Sequence, residues 1–114
     1  SPSTMTNVTA TAPDGSSQNY GVYNFSSSPS MNNVTATATD GSSSYGVYND
    51  NSSTAEIRNS SITGTTNSIE NSGSSSAQVA DTALGGGNVA GGGFTCVGAY
   101  TTAFVALSGD CDID

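Results

Sequence analysis

Small or apolar residues alternate with polar ones in short runs along most of this chain. In Val8-Thr9-Ala10-Thr11-Ala12 and again in Val34-Thr35-Ala36-Thr37-Ala38 the small side chain returns at every second position, the period of a strand with one covered face. No stretch repeats its apolar residues every third or fourth position, so the pattern predicts strands and turns rather than helices. The runs also recur as a unit. Residues 5–24, MTNVTATAPDGSSQNYGVYN, return at 31–49 as MNNVTATATDGSSSYGVYN, with Met5 matching Met31, Val8 matching Val34 and Tyr23 matching Tyr48. A third copy, IRNSSITGTTNSIEN, runs from Ile57 to Asn71, and a fourth opens with VADTAL at Val79.

Aligning the copies produces columns. Apolar columns are Met5, Met31, Ile57 and Val79; Ala10, Ala36, Ile62 and Leu84; and Val22, Val47 and Ile69. Polar columns are Asn7, Asn33, Asn59 and Asp81, then Asn24, Asn49 and Asn71. The spacing shortens from 26 to 22 residues along the chain, enough for three short strands and their bends per copy. Stacking such copies about 4.8 Å apart pairs every strand with its counterpart. The expected fold is therefore all-β: a right-handed parallel β-helix, or β-solenoid, of three to four coils. Apolar columns would face inward, and asparagine at the bends would form ladders and accept the unusual dihedrals of corners. Asn59, between Asn33 and Asp81, is expected to matter more than Asn51, which reads as part of a serine-rich loop. Residues 1–84 are assigned to the coils and residues 85–114 to a Gly-rich linker and a C-terminal cap.

That cap is expected because GGGNVAGGG interrupts the rhythm and Phe94, Val97, Phe104, Val105 and Leu107 follow it, supplying apolar area for a terminal layer. Cys96 and Cys111 lie in the same segment. A disulfide from an oxidising compartment is the first reading of them and a pair of buried thiols the second. At the other end residues 1–6 read as the cut edge of a coil with a predecessor upstream, so the chain is expected to be a processed or partial one.

Composition narrows the function. Of 114 residues, nine are acidic and one, Arg58, is basic, giving a net charge of −8 with no histidine and no lysine. A basic surface for nucleic acid is excluded, as are imidazole general-base catalysis, a Ser-His-Asp triad, Schiff-base chemistry and His-ligated zinc. No run approaches the length of a membrane-inserting segment. Leu, Ile, Val and Phe amount to about 15% of the chain, too few for an ordinary core, and a stacked repeat is the architecture that tolerates this.

Few residues then remain that could carry chemistry. Asp14 and Asp40 share one Asp-Gly turn position in adjacent copies, where an oxygen-binding ion such as Ca²⁺ could be held, but too few ligands accompany them and an ordinary turn is the favoured reading, so no metal and no cofactor are assigned. Thr9 and Thr11, Thr35 and Thr37, then Ser61 and Thr63 predict two rows of hydroxyls on one face, an array similar to that of ice-binding solenoids or simply a soluble strand surface. Tyr23 and Tyr48 have outward parity and could receive a sugar ring or a neighbouring protein. Tyr20 and Tyr45 have the opposite parity and are expected in the interior or at a corner.

The unit NVTATA…DGSS…YGVYN, the IRNSSI-G segment and the closing GGGFTCVGAY resemble bacterial secreted or surface right-handed parallel β-helix proteins, broadly pectate-lyase-like in fold. The resemblance implies architecture rather than activity, because a lyase site needs basic residues and this chain has only Arg58. The expectation is a non-enzymatic, extracellular or cell-surface structural or adhesive solenoid, part of a filament, fibre or appendage. Its partners would be a second copy joined head to tail or upstream coils of the same polypeptide. A glycan-binding module is the alternative, with ice binding or a piece of a polysaccharide-active enzyme behind it.

Overall fold

A computed structural model describes residues 4–12, 18–39, 43–87, 89–102, 104–109 and 111. Among them there are strands and turns and no helix. The strands are β1 (Thr4–Thr6), β2 (Thr9–Ala12), β3 (Gln18–Phe25), β4 (Ser30–Asn32), β5 (Thr35–Ala38), β6 (Ser43–Asp50), β7 (Thr54–Arg58), β8 (Ser61–Gly64), β9 (Asn67–Asn71), β10 (Ser76–Ala80), β11 (Ala83–Gly86), β12 (Phe94–Val97) and β13 (Tyr100–Thr101).

They form three sheets whose ladders are all parallel. The first runs β1-β4-β7-β10-β12, the second β2-β5-β8-β11-β13 and the third β3-β6-β9. The chain visits the three in rotation, a connectivity consistent with a β-solenoid. Register follows the sequence columns. Met5 pairs Met31, Met31 pairs Ile57, Ile57 pairs Val79 and Val79 pairs Cys96, so the first apolar column extends one member further than the repeat pattern showed. Ala10, Ala36, Ile62 and Leu84 pair in turn, as do Val22, Val47 and Ile69.

Met31, Ile57, Ile62, Ile69, Val47 and Val79 are the large buried side chains, with Ala36, Val22 and Leu84 between them. Met5, Val8 and Ala10 pack against this core but are only half-buried, since no described strand lies on their far side.

Corners explain the asparagine column. Asn7, Asn33, Asn59 and Asp81 have φ of 56, 56, 52 and 49°, and Gly98 continues the column at 71°. A left-handed backbone turns the chain between the first and second sheets, and Asn, Asp and Gly are the residues that tolerate it. Each corner N–H still donates along the stack: Asn7 to Asn32, Asn33 to Arg58, Asn59 to Ala80 and Asp81 to Val97. Asn51, in the serine-rich bend between β6 and β7, also has a left-handed φ, 55°.

The third sheet contains a departure from strand parity. Tyr20 pairs Tyr45 and Val22 pairs Val47, but the ladder omits Gly21 and Gly46 between them. A Cβ on Gly46 would lie 2.6 Å from Ile62 Cγ2 and 2.7 Å from the Ser68 carbonyl oxygen. The backbone presses inward there, which only glycine permits. Tyr20 and Tyr45 therefore emerge on the same face as Tyr23 and Tyr48, correcting the interior placement that simple alternation predicts.

The last layer is closed from outside. Residues 104–109 and Cys111 turn back: Tyr100 bridges Ala106 antiparallel, Cys96 N–H donates to the Gly109 carbonyl, Leu107 N–H to Ala99, and Thr101 N–H to Val105. Cys96 and Cys111 are joined by a disulfide with Cα atoms 5.3 Å apart, and both are buried. The apolar residues expected to cap the core divide. Phe94 and Leu107 pack against it, whereas Val97, Phe104 and Val105 are 70, 86 and 49% exposed. Phe104 instead stacks on Tyr100 at 6.0 Å. The disulfide and the returning backbone do the covering that the sequence pattern gave to these side chains. The Gly-rich segment takes part as well: Ala90 N–H donates to Ile69 and Asn71 N–H to Ala90, so that segment lines the free side of β9.

Candidate functional site

Three surfaces combine polar or aromatic groups in register. The first is the edge formed by β1, β2 and β3. Each of these strands pairs on one side only among the described residues, leaving a row of main-chain groups beside the half-buried Met5, Val8 and Ala10.

Running from that edge into the body is a buried amide ladder. Asn24 Nδ2 donates to Asn49 Oδ1 at 2.8 Å, Asn49 Nδ2 to Asn71 Oδ1 at 2.9 Å, and Asn71 Nδ2 to the Gly92 carbonyl at 2.8 Å. The three side chains are 7, 0 and 6% exposed. The corner column behaves differently. Asn7, Asn33, Asn59 and Asp81 are exposed; Asn33 Nδ2 donates to Asn7 Oδ1, but Asn59 Nδ2 reaches Asn32 Oδ1 at 3.3 Å instead of Asn33. Its value lies in the backbone angle, not in a buried chain of amides.

Hydroxyl ladders accompany the amides. Ser27 N–H donates to Ser53 Oγ and Ser53 N–H to Ser75 Oγ, while Val34 N–H donates to Ser60 Oγ and Ser60 N–H to Thr82 Oγ1. Ser53, Ser60, Ser75 and Thr82 are buried. The repeat alignment did not single them out, although the 22-residue step from Ser53 to Ser75 equals that from Asn49 to Asn71.

The second surface is the outer face of the third sheet. Tyr20 stacks on Tyr45 at 5.6 Å and Tyr23 on Tyr48 at 5.3 Å, with interplanar angles of 14 and 4°. Edge-to-face contacts of 5.0 to 5.1 Å join the two stacks. The rings thus cover one another from copy to copy, and the uncovered faces of Tyr20 and Tyr23 are those on the free side of β3. Tyr23 Oη donates to Asp50 Oδ2 at 2.8 Å. That bond to a carboxylate, followed by desolvation, pushes the Tyr23 phenol up to about 12. Desolvation, then the neighbouring Tyr48, raises Tyr20.

The third surface carries the hydroxyl rows. Thr9, Thr35 and Ser61 pair in succession, as do Thr11, Thr37 and Thr63. The rows end where Ala83 and Gly85 follow. A shallow groove of about 210 Å³ on the first sheet, lined in part by Glu56, Arg58, Gln78 and Thr95, holds the Arg58–Glu56 pair at 3.4 Å. Asp14 and Asp40 lie outside the described residues. No cluster of three or more metal-binding side chains occurs among the described residues.

No protein family, curated protein or solved structure matches this chain.

Proposed function

We propose that this chain is an extracellular structural or adhesive β-solenoid, a right-handed parallel β-helix of three to four coils that forms part of a filament, fibre or surface appendage without enzymatic activity. The supporting observation is the contrast between its two ends: among the described residues β1, β2 and β3 present unpaired strand edges beside a half-buried apolar layer, while the opposite end is folded over and joined by a disulfide. Right-handedness follows the strong preference of parallel crossover connections. The disulfide agrees with an oxidising compartment. Exposed parallel edges are templates for further strands. Continuation of the edge, by a second copy joined head to tail or by upstream coils of the same polypeptide, would make a rod whose strength lies in main-chain pairing.

Electron microscopy of native material, beside light scattering of the purified 114-residue chain, tests this reading. Rods or filaments in the native material are expected. Discrete monomers in both, with β1 to β3 resistant to proteolysis without any partner, would transfer the function to the tyrosine and threonine faces as a glycan-binding module.

A further inference from the structure

The buried amide ladder has a direction, and its direction selects the partner of the open edge. This step rests on the structural reading above. The Gly92 carbonyl can only accept, so Asn71 must turn Nδ2 toward it at 2.8 Å and Oδ1 toward Asn49. Asn49 must in turn offer Oδ1 to Asn24. The amide orientation is thereby fixed along the whole row. Asn24, 7% exposed, is left with Oδ1 directed away from Asn49, and no described residue donates to it.

Whatever continues the third sheet must place a hydrogen-bond donor over Asn24. It must also cover the free faces of Tyr20 and Tyr23, and supply small or apolar groups over Met5, Val8 and Ala10. The closed end of a second molecule has the opposite properties. Its amide row terminates in the Gly92 carbonyl, and its edge N–H groups on Cys96 and Thr101 already donate to the Gly109 and Val105 carbonyls. A second molecule turned head to head would set one Asn24 Oδ1 against another, acceptor facing acceptor. A strand of the repeat's own kind meets every requirement, since its Tyr-Gly-Val-Tyr-Asn segment brings two stacking rings and an asparagine Nδ2 in the register that joins β3 to β6.

We infer that the open edge of β1, β2 and β3 is the seat of a further repeat copy of the same polypeptide, and that the closed end of a second molecule does not dock there.

The test is backbone hydrogen exchange on the 114-residue chain and on a lengthened chain with residues 5–30 duplicated ahead of Met5. Protection of β6 and β9, which the addition does not touch, reports that the body is folded. In the lengthened chain the amides of the original β1 to β3 are expected to slow by about tenfold or more, and replacing the added counterpart of Asn24 by leucine should remove most of the gain at β3. A peptide with the sequence of residues 30–50, added to the unaltered chain, should slow the same amides. No slowing from either source, with β6 and β9 still protected, overturns the inference. Concentration-dependent oligomers of the unaltered chain that protect β1 to β3 together with β12 and β13 also overturn it, while leaving the structural role standing. Absence of protection under all conditions removes both.

Discussion

Replacing Asn49 by leucine removes the middle of the buried amide row and separates two kinds of asparagine that look alike in the repeat. Asn49 is fully buried, accepts from Asn24 Nδ2 and donates to Asn71 Oδ1. Leucine would strand one donor and one acceptor in a dry interior, each worth about 1–3 kcal/mol when left unpaired. Burial of the added hydrocarbon offsets about 1–2 kcal/mol of this. The expected loss is about 3 kcal/mol. Asn59→Leu removes only an exposed amide and places a branched side chain at a φ of 52°, a cost of about 1 kcal/mol. Asn59→Gly relieves that angle and is expected within about 0.5 kcal/mol of the parent. Urea denaturation of the three variants, followed by circular dichroism, measures the order directly. If Asn49→Leu costs no more than Asn59→Leu, the ladder contributes nothing beyond its backbone and the reasoning is refuted.

Three further outcomes are expected. Tyr23 is held protonated by its bond to Asp50, with its folded value raised from 10.0 to about 12, so the stabilisation it provides is complete below pH 10 and is lost as pH rises toward 12; thermal midpoints of Tyr23→Phe and parent that fall in parallel across that window would show the bond to be inert. Gly46→Ala should destabilise strongly, because its Cβ would meet Ile62 Cγ2 at 2.6 Å and the Ser68 carbonyl at 2.7 Å, whereas Gly92→Ala meets nothing within 4 Å; equal denaturation midpoints for the two would contradict the inward bend. Reduction of Cys96–Cys111, a bridge across 15 residues, should cost about 3 kcal/mol and raise exchange at 104–111 while β4 to β9 stay protected; thiols that alkylate in untreated native protein would rule the bridge out.

The repeat made the parallel stacking and the apolar columns readable before any coordinates, because identical residues at a fixed step can share a layer only by stacking. Strand parity was less informative. Tyr20 and Val22 are separated by an even step yet face opposite ways, since Gly21 adopts a path that alternation cannot encode. Exposure was also hidden in the letters: Asn49 and Asn59 occupy equally regular columns, but one lies within a sheet and the other at a corner. At the closing end, Phe104 and Val97 look like core residues by type, and only the return of residues 104–109 across Cys96, Ala99 and Thr101 shows that backbone and disulfide seal the last layer instead. Ser53, Ser60, Ser75 and Thr82 were lost in a serine- and threonine-rich background, where hydroxyls bonding main chain are indistinguishable from solvent-facing ones.

That sealed last layer bears on how long such a rod can become. Where both ends of a stack are sticky, length responds to concentration and drifts with it, as in any open polymer. Here the edge beyond β12 and β13 is occupied by the chain's own backbone, so stacking cannot be propagated through it by mass action. In the proposed assembly, extension is confined to the side of β1, β2 and β3, where every added copy would contribute about 4.8 Å. On the proposed reading the stack is a ruler measured from its sealed layer, its reach set by the number of copies laid on β1, β2 and β3.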